Sequence, residues 1–241
     1  MDASDAYTVT VLVFWCVQIL LNALIPCAFG KSFANDENGE NRVNWTPASF
    51  AFSIWSTIYI TGTVLWILML TDTVEPFHYT ASYFLIIATT VLNVVWIMLW
   101  IHERLFFAAI NLMLLAAFLM TVFFLEWGNS NVYTLNVIGI YMTWTIVASL
   151  LNLQRNVGNG PVIEFAFLAL IIILQIAIFV IVAAAYSTKE NGEKLIGVIC
   201  TCVWVSLGVV FEHNDSAIVK TYFVVNCVVA VAFFTWFGVT F

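Results

Sequence analysis

Charged side chains are scarce in this chain of 241 residues. Asp, Glu, Lys and Arg make up only 9% of it, whereas hydrophobic residues make up 63% and the mean hydropathy is +1.02. Soluble globular domains average about 45–50% apolar residues. The composition therefore excludes an ordinary soluble domain and predicts an integral membrane protein.

The apolar runs also lack the strict alternation of lipid-facing strands in a barrel. Because only helices and closed barrels satisfy every backbone group in lipid, we predict an all-α, polytopic transmembrane helix bundle of about eight spans. The seventh span is short and lies between Lys194 and Glu212, so a seven-span or nine-segment alternative stays open. The spans predicted from length and hydropathy are 7–28, 47–70, 79–101, 105–125, 132–153, 162–186, 195–211 and 218–240.

The first apolar run has no Lys or Arg before it, so it lacks the basic start of a cleavable signal and is predicted to remain as a helix. Basic residues fall mainly in the odd-numbered loops, and this bias predicts a cytoplasmic first loop with both termini on the opposite side. It leaves the organelle open. The residues on the first-loop side are Lys31, Arg42, Arg104, Arg155 and Lys220, against Lys189 and Lys194 on the other.

Groups for acid–base or metal chemistry are also few. The five cysteines lie inside predicted spans, and the three histidines lie in loops without the spacing of a metal or nucleophile set. No acidic or basic residue lies in the middle of a span, which disfavours an ion pathway. We therefore predict no catalytic residue and no metal site. The net charge of −7 disfavours nucleic acid as a partner.

Aromatic residues, by contrast, are concentrated on one stripe of the second span. Phe52, Trp55, Tyr59 and Trp66 follow at intervals of three, four and seven, after Pro47 at the predicted first turn. Lipid needs no such stripe, because any apolar side chain suits hydrocarbon. The stripe therefore indicates either a packing face or one wall of a ligand pocket.

Similar residues recur at a matching depth on the third and fifth spans. Counted from the span ends at 1.5 Å per residue, Trp55, Trp96 and Trp144 lie roughly 9–12 Å below the first-loop face. An interfacial aromatic belt would also place Trp there. A belt faces lipid and does not need amides nearby, so Asn residues on spans three, four and five favour a pocket. Those residues are Asn93, Asn111 and Asn152.

The ordered motifs resemble the TspO/MBR family of tryptophan-rich sensory proteins and translocator proteins. The resemblance covers residues 7–155 and rests on three motifs. These are Thr46-Pro47 with Phe52, Trp55 and Tyr59; Leu92-Asn93 with Trp96; and Trp144 with Leu151-Asn152. It implies a TspO-like five-helix membrane unit in residues 1–155 and a three-helix C-terminal membrane extension in residues 156–241, as in an extended member.

The family resemblance further implies a pocket below the first loop that binds a flat apolar ligand, a tetrapyrrole (porphyrin or haem) or a sterol. It implies a role in transport or sensing, or in porphyrin photo-degradation, with no required cofactor and with a capacity to form a homodimer in the lipid bilayer. Together with the stripe and the amides, it places ligand-binding roles on Phe52, Trp55, Tyr59, Asn93, Trp96, Asn111, Trp144, Ala148 and Asn152.

Two departures from the family pattern bear on the ligand. Asn111 stands where many members carry Asp, and Asn152 is followed by Leu153-Gln154-Arg155 without the Tyr of a proposed cholesterol motif, which disfavours a sterol there. Two other functions stay open. They are a structural or protein-interaction membrane subunit, and a small-molecule or ion channel.

Overall fold

The computed structural model describes residues 3–30, 46–158, 160, 162–163, 166, 169–170, 192–212 and 217–237, and within them the fold is all-helical. This confirms the predicted fold class. The helices are α1 (Ala3–Ala28), α2 (Ile54–Leu70) with a 3-10 helix (Ser49–Ser53) before it, α3 (Thr80–Ile101), α4 (Leu105–Glu126), α5 (Val132–Val157), α6 (Ile196–Glu212) and α7 (Ala217–Phe237).

Five helices are long and apolar enough to cross a membrane: α1, the 3-10 helix together with α2, α3, α4 and α5. The protein is thus a multi-pass integral membrane protein, with bounds close to those predicted for the first five spans. Helices α6 and α7 correspond to the predicted seventh and eighth spans, and α6 has 17 residues. Most of the predicted sixth span, 162–186, lies outside the described residues.

The second span begins differently from the prediction. Pro47 does not occupy a first α-helical turn, because the chain at Ala48 is extended (φ −52°, ψ 151°) and the 3-10 helix starts at Ser49. A tertiary contact accompanies this later start. The backbone N–H of Ala48 donates to the carbonyl oxygen of Gly208 on α6 at 2.9 Å, so this donor is used outside its own helix.

The first five helices close into a ring. Helix α1 packs on α2 and on α3, α3 packs on α4, α4 on α5, and α5 on α2, which gives the order α1-α2-α5-α4-α3. Buried residues make up 83% of the most apolar window of α5 but only 22% of that of α1. The difference arises because α5 is covered on a further side by α6, so α5 is the most enclosed helix of the described bundle.

Helix α6 runs alongside α5 and reaches the start of the second span. At one end, the side chain of Asn136 accepts from the backbone N–H of Gly197 and donates to Glu193 O at 2.7 Å. At the other, the indole N–H of Trp204 donates to Ala51 O at 3.0 Å. The C-terminal part of the chain therefore holds the 3-10 helix that leads into α2. The boundary between two domains near residue 155 stays a prediction.

A buried carboxylate connects helices at the end of the ring that lies away from Trp204 and the 3-10 helix. Glu126, the last residue of α4, is fully buried and accepts four hydrogen bonds through its two oxygens. The donors are the backbone N–H groups of His78 (3.1 Å) and Tyr79 (3.2 Å) and the hydroxyls of Ser82 (2.6 Å) and Ser130 (3.1 Å). One side chain thus joins the start of α3 to the turn before α5.

Replacing Glu126 with Gln should lower the free energy of unfolding by about 2 kcal/mol. The amide would present N–H groups to donors that now meet a carboxylate oxygen, and hydrogen bonds to charged groups contribute about 1.5–3 kcal/mol each. Thermal unfolding in detergent measures the effect. Glu75→Gln, an exposed change in the loop between α2 and α3, is the control and should leave the unfolding temperature unchanged.

Gly197→Ala should loosen α6 from α5. A Cβ at Gly197 would overlap the backbone carbonyl of Asn136, which cannot swing aside as a flexible side chain would. Such overpacking costs about 1–3 kcal/mol. Gly128→Ala is the matched control, because a Cβ there meets nothing within 4 Å. Equal unfolding temperatures for the two variants would contradict the close α5–α6 contact.

Candidate functional site

The indole of Trp55 lies at the centre of an aromatic cluster inside the five-helix ring. It stacks on Trp96 of α3 (ring centroids 5.1 Å apart, planes at 26°) and meets Trp144 of α5 edge-on at 6.1 Å. Trp55 also stacks on Tyr59 and meets Tyr141 edge-on. Three spans therefore bring their rings to one depth, as the counting along the helices predicted.

Burial separates this cluster from an interfacial aromatic belt. Trp55, Trp96 and Trp144 are 7%, 3% and 0% exposed, so their rings face the bundle interior and not lipid. Phe52, in the 3-10 helix, meets Trp144 edge-on at 5.6 Å and is only partly buried. In this arrangement the rings pack directly against one another, with Phe52 and Tyr59 at the less buried edge.

A polar group lies beside the rings and centres on Asn93. Its side-chain oxygen accepts from the amide of Asn22 at 2.7 Å and from the hydroxyl of Tyr59 at 3.5 Å. Asn93 itself is fully buried. An amide from α1 and a phenol from α2 thus converge on one amide of α3, so the polar and aromatic parts of the predicted site adjoin.

Helix α1 supplies a wall that the sequence analysis missed. Trp15 lies against the face of α2 at Gly62, where a Cβ would overlap the indole, and its N–H donates to Tyr59 O at 3.2 Å. The ring of Trp15 also meets Tyr59, Trp66 and Tyr141 edge-on. A signal existed in the sequence. Trp15, Gln18 and Asn22 fall at i, i+3 and i+7, the same helical stripe that marked the second span.

The other predicted residues have different surroundings. Asn111 donates from its amide to the carbonyl of Leu92 at 2.7 Å, which ties α4 to α3 through the backbone. Asn152 donates to Ala148 O of its own helix at 2.7 Å, and both residues are buried on α5. Asn111 therefore connects α4 to α3. Ala148 and Asn152 lie about one and two turns beyond Trp144 on the same side of α5.

A family model described as TSPO-like protein matches residues 6–237 of this chain. The chain belongs to the TSPO-like protein family. The match extends past the five-helix ring and takes in α6 and α7, so the family pattern includes the C-terminal helices. Comparisons with curated proteins and with solved structures gave no match.

The cluster of this TSPO-like protein contains buried polar atoms without hydrogen bonds. Both side-chain atoms of Gln18 lack a partner among the described residues, as do the amide nitrogen of Asn93, the hydroxyl of Tyr141 and the indole N–H of Trp144. Gln18 lies close to the hydroxyls of Tyr59 and Tyr141, but its amide does not meet either hydroxyl with the distance and angle of a hydrogen bond. Such groups are costly in an apolar interior, and protein interiors pair the great majority of them.

These atoms define what the site can do chemically. Its polar groups are amides and phenols, which donate and accept hydrogen bonds, and indoles, which only donate; these groups are uncharged at neutral pH. Indole faces stack on planar rings, and amide or phenol donors meet a carbonyl or carboxylate. The cluster therefore offers stacking faces and hydrogen-bonding groups at one place.

Replacing Gln18 with Met should stabilise the protein without ligand. Met has nearly the same shape, and the change removes two buried polar atoms whose desolvation costs about 1–3 kcal/mol. The unfolding temperature in detergent is therefore expected to rise. Asn136→Leu is the contrasting control, because that amide is fully hydrogen-bonded and its loss should lower the unfolding temperature. Destabilisation by both changes to the same extent would contradict the assignment of Gln18 as unpaired.

Proposed function

We propose that this TSPO-like membrane protein binds a flat apolar ligand, a tetrapyrrole such as a porphyrin or haem, at the cluster around Trp55. The observation that carries the proposal is the stack of Trp55 on Trp96, 5.1 Å between centroids, beside the buried amides of Asn93 and Gln18. Aromatic faces and hydrogen-bonding edges meet at one point. A tetrapyrrole has the matching features, a wide planar ring and polar substituents.

Binding would require the rings to separate. Since they now fill the interior of the bundle themselves, a ligand must replace part of the ring-to-ring contact with its own face. The partly buried residues Phe52 and Tyr59 mark the edge from which this can begin. Phe52 belongs to the 3-10 helix that Trp204 holds by a hydrogen bond, so α6 would steady the edge of the site.

The unpaired polar atoms support a ligand with acceptor groups. The amide nitrogens of Asn93 and Gln18 and the indole N–H of Trp144 can donate to carboxylates or carbonyls. A ligand that accepts these bonds would recover part of the cost of their burial. A sterol would gain from the apolar surface but offers a single hydroxyl, so the donor set favours the tetrapyrrole. Transport and sensing are both compatible with such binding.

The packing of the aromatic rings also suits a second function, that of a structural or interaction subunit. If the rings serve only to lock the helices together, the protein is a structural or interaction subunit of the membrane. The orphan atoms of Gln18 argue against this alternative, because a purely structural core would be more stable with an apolar residue there. Gln18→Met should therefore weaken ligand affinity while it raises stability, a combination that a structural role does not generate.

Titration of the purified protein with protoporphyrin or haem tests the proposal. The chain has ten Trp residues, so intrinsic fluorescence reports on binding even when one is replaced. We expect saturable quenching at micromolar ligand. Trp55→Phe and Trp144→Phe should each raise the Kd about two- to tenfold, because an aromatic pair contributes about 0.5–1.5 kcal/mol beyond its buried area.

Trp127→Phe is the matched control. Trp127 is buried to a similar degree as Trp55, but it follows α4 at the opposite end of the ring, where it packs on Phe123. Its replacement should leave the Kd unchanged. Absence of saturable quenching in the parent protein would refute tetrapyrrole binding, and an equal loss in all three variants would show that the effect is not local to the cluster.

A further inference from the structure

A second concave surface lies on the opposite side of α3 from the aromatic cluster. It is a groove of 480 Å³ lined by Val94, Val95, Met98, Leu99, His102 and Arg104. The four apolar residues and His102 recur at i, i+1, i+4, i+5 and i+8, which is one face of a helix. Asn93 and Trp96 on the same helix are buried toward the ring interior, so α3 presents two faces of different character.

The groove has the length of a lipid chain in one leaflet. From Val94 to His102 the helix rises roughly 12 Å at 1.5 Å per residue. Half of a hydrocarbon core of about 30 Å is about 15 Å. The apolar part of the groove therefore spans most of one leaflet, and His102 and Arg104 lie at its end, where α3 turns into α4.

Arg104 supplies a positive charge without a partner in the described part of the chain. Its backbone N–H donates to Leu99 O at 2.9 Å, and its guanidinium forms no ion pair or hydrogen bond there. The side chain is exposed. His102 beside it is held edge-on against the ring of Phe29 at 5.5 Å. An exposed guanidinium at the end of an apolar groove matches a phosphate attached to acyl chains.

We infer that this groove is a binding site for an anionic phospholipid, with an acyl chain along Val95, Met98 and Leu99 and the headgroup phosphate at Arg104. This site is separate from the aromatic cluster and does not depend on the ligand proposed there. The chain as a whole carries a net charge of −7, so it has no general attraction for anionic membranes. A preference for anionic lipid would therefore come from the groove itself.

Native mass spectrometry of the full chain in detergent tests the inference. Phosphatidylglycerol and phosphatidylcholine of the same chain length are added, and their dissociation constants are compared. The parent protein should prefer the anionic lipid about fivefold, the factor expected for one basic residue at a charged headgroup. Arg104→Gln should abolish the preference, and Arg104→Lys should retain most of it.

Two further variants separate charge from shape. Lys220→Gln removes another exposed basic residue, the fourth of α7, and should leave the preference intact. Val95→Trp, at a position already 42% exposed, should fill the groove and weaken binding of both lipids while Arg104 is unchanged. The inference is overturned if the parent protein shows no preference, if Lys220→Gln loses as much as Arg104→Gln, or if Val95→Trp has no effect.

Discussion

Helices in lipid gain little by hiding apolar surface from one another, so this bundle depends on close interlocking of rings and on buried hydrogen bonds between helices. Trp55 provides the first of these, because its indole contacts rings from α2, α3 and α5 at once. Glu126 provides the second, since one carboxylate gathers four donors at the other end of the ring. The two arrangements lie at opposite ends of the five-helix ring, and both include residues of α3.

The rest of the molecule is arranged around that ring. Helix α1 closes it with Trp15, which lies on Gly62, and with Asn22, which binds Asn93. Helix α6 reinforces it from outside through hydrogen bonds from Gly197 to α5 and from Trp204 to the 3-10 helix. Helix α6 is therefore in contact with the 3-10 helix that carries Phe52, which explains physically how residues beyond the five-helix unit can affect the edge of the candidate site.

Helical periodicity predicted much of the candidate site because it depends only on the spacing of residues within one helix. The stripe of Trp55 and Tyr59 follows from the helical repeat, and the matching depths of Trp96 and Trp144 follow from counting 1.5 Å per residue from the span ends. Asn111 was also predicted to line the site; its amide donates to the carbonyl of Leu92 on α3, and its ligand-binding role stays a prediction. Gln18 was missed although it shares a stripe with Trp15. Residue spacing shows which face of a helix carries the aromatic and polar side chains, but it does not show which residues of other helices that face will contact.

The sequence by itself determined that the chain is an all-helical membrane protein, where its first five spans lie, and which rings share a depth, because hydropathy and helix geometry are properties of short segments. Only the tertiary structure decided the ring order of the helices, the late start of the second span after Pro47, the unpaired amide of Gln18 and the groove beside Arg104. Each of these depends on which helices become neighbours. That choice is made by contacts between residues far apart in the chain, such as Ala48 with Gly208 and Asn22 with Asn93.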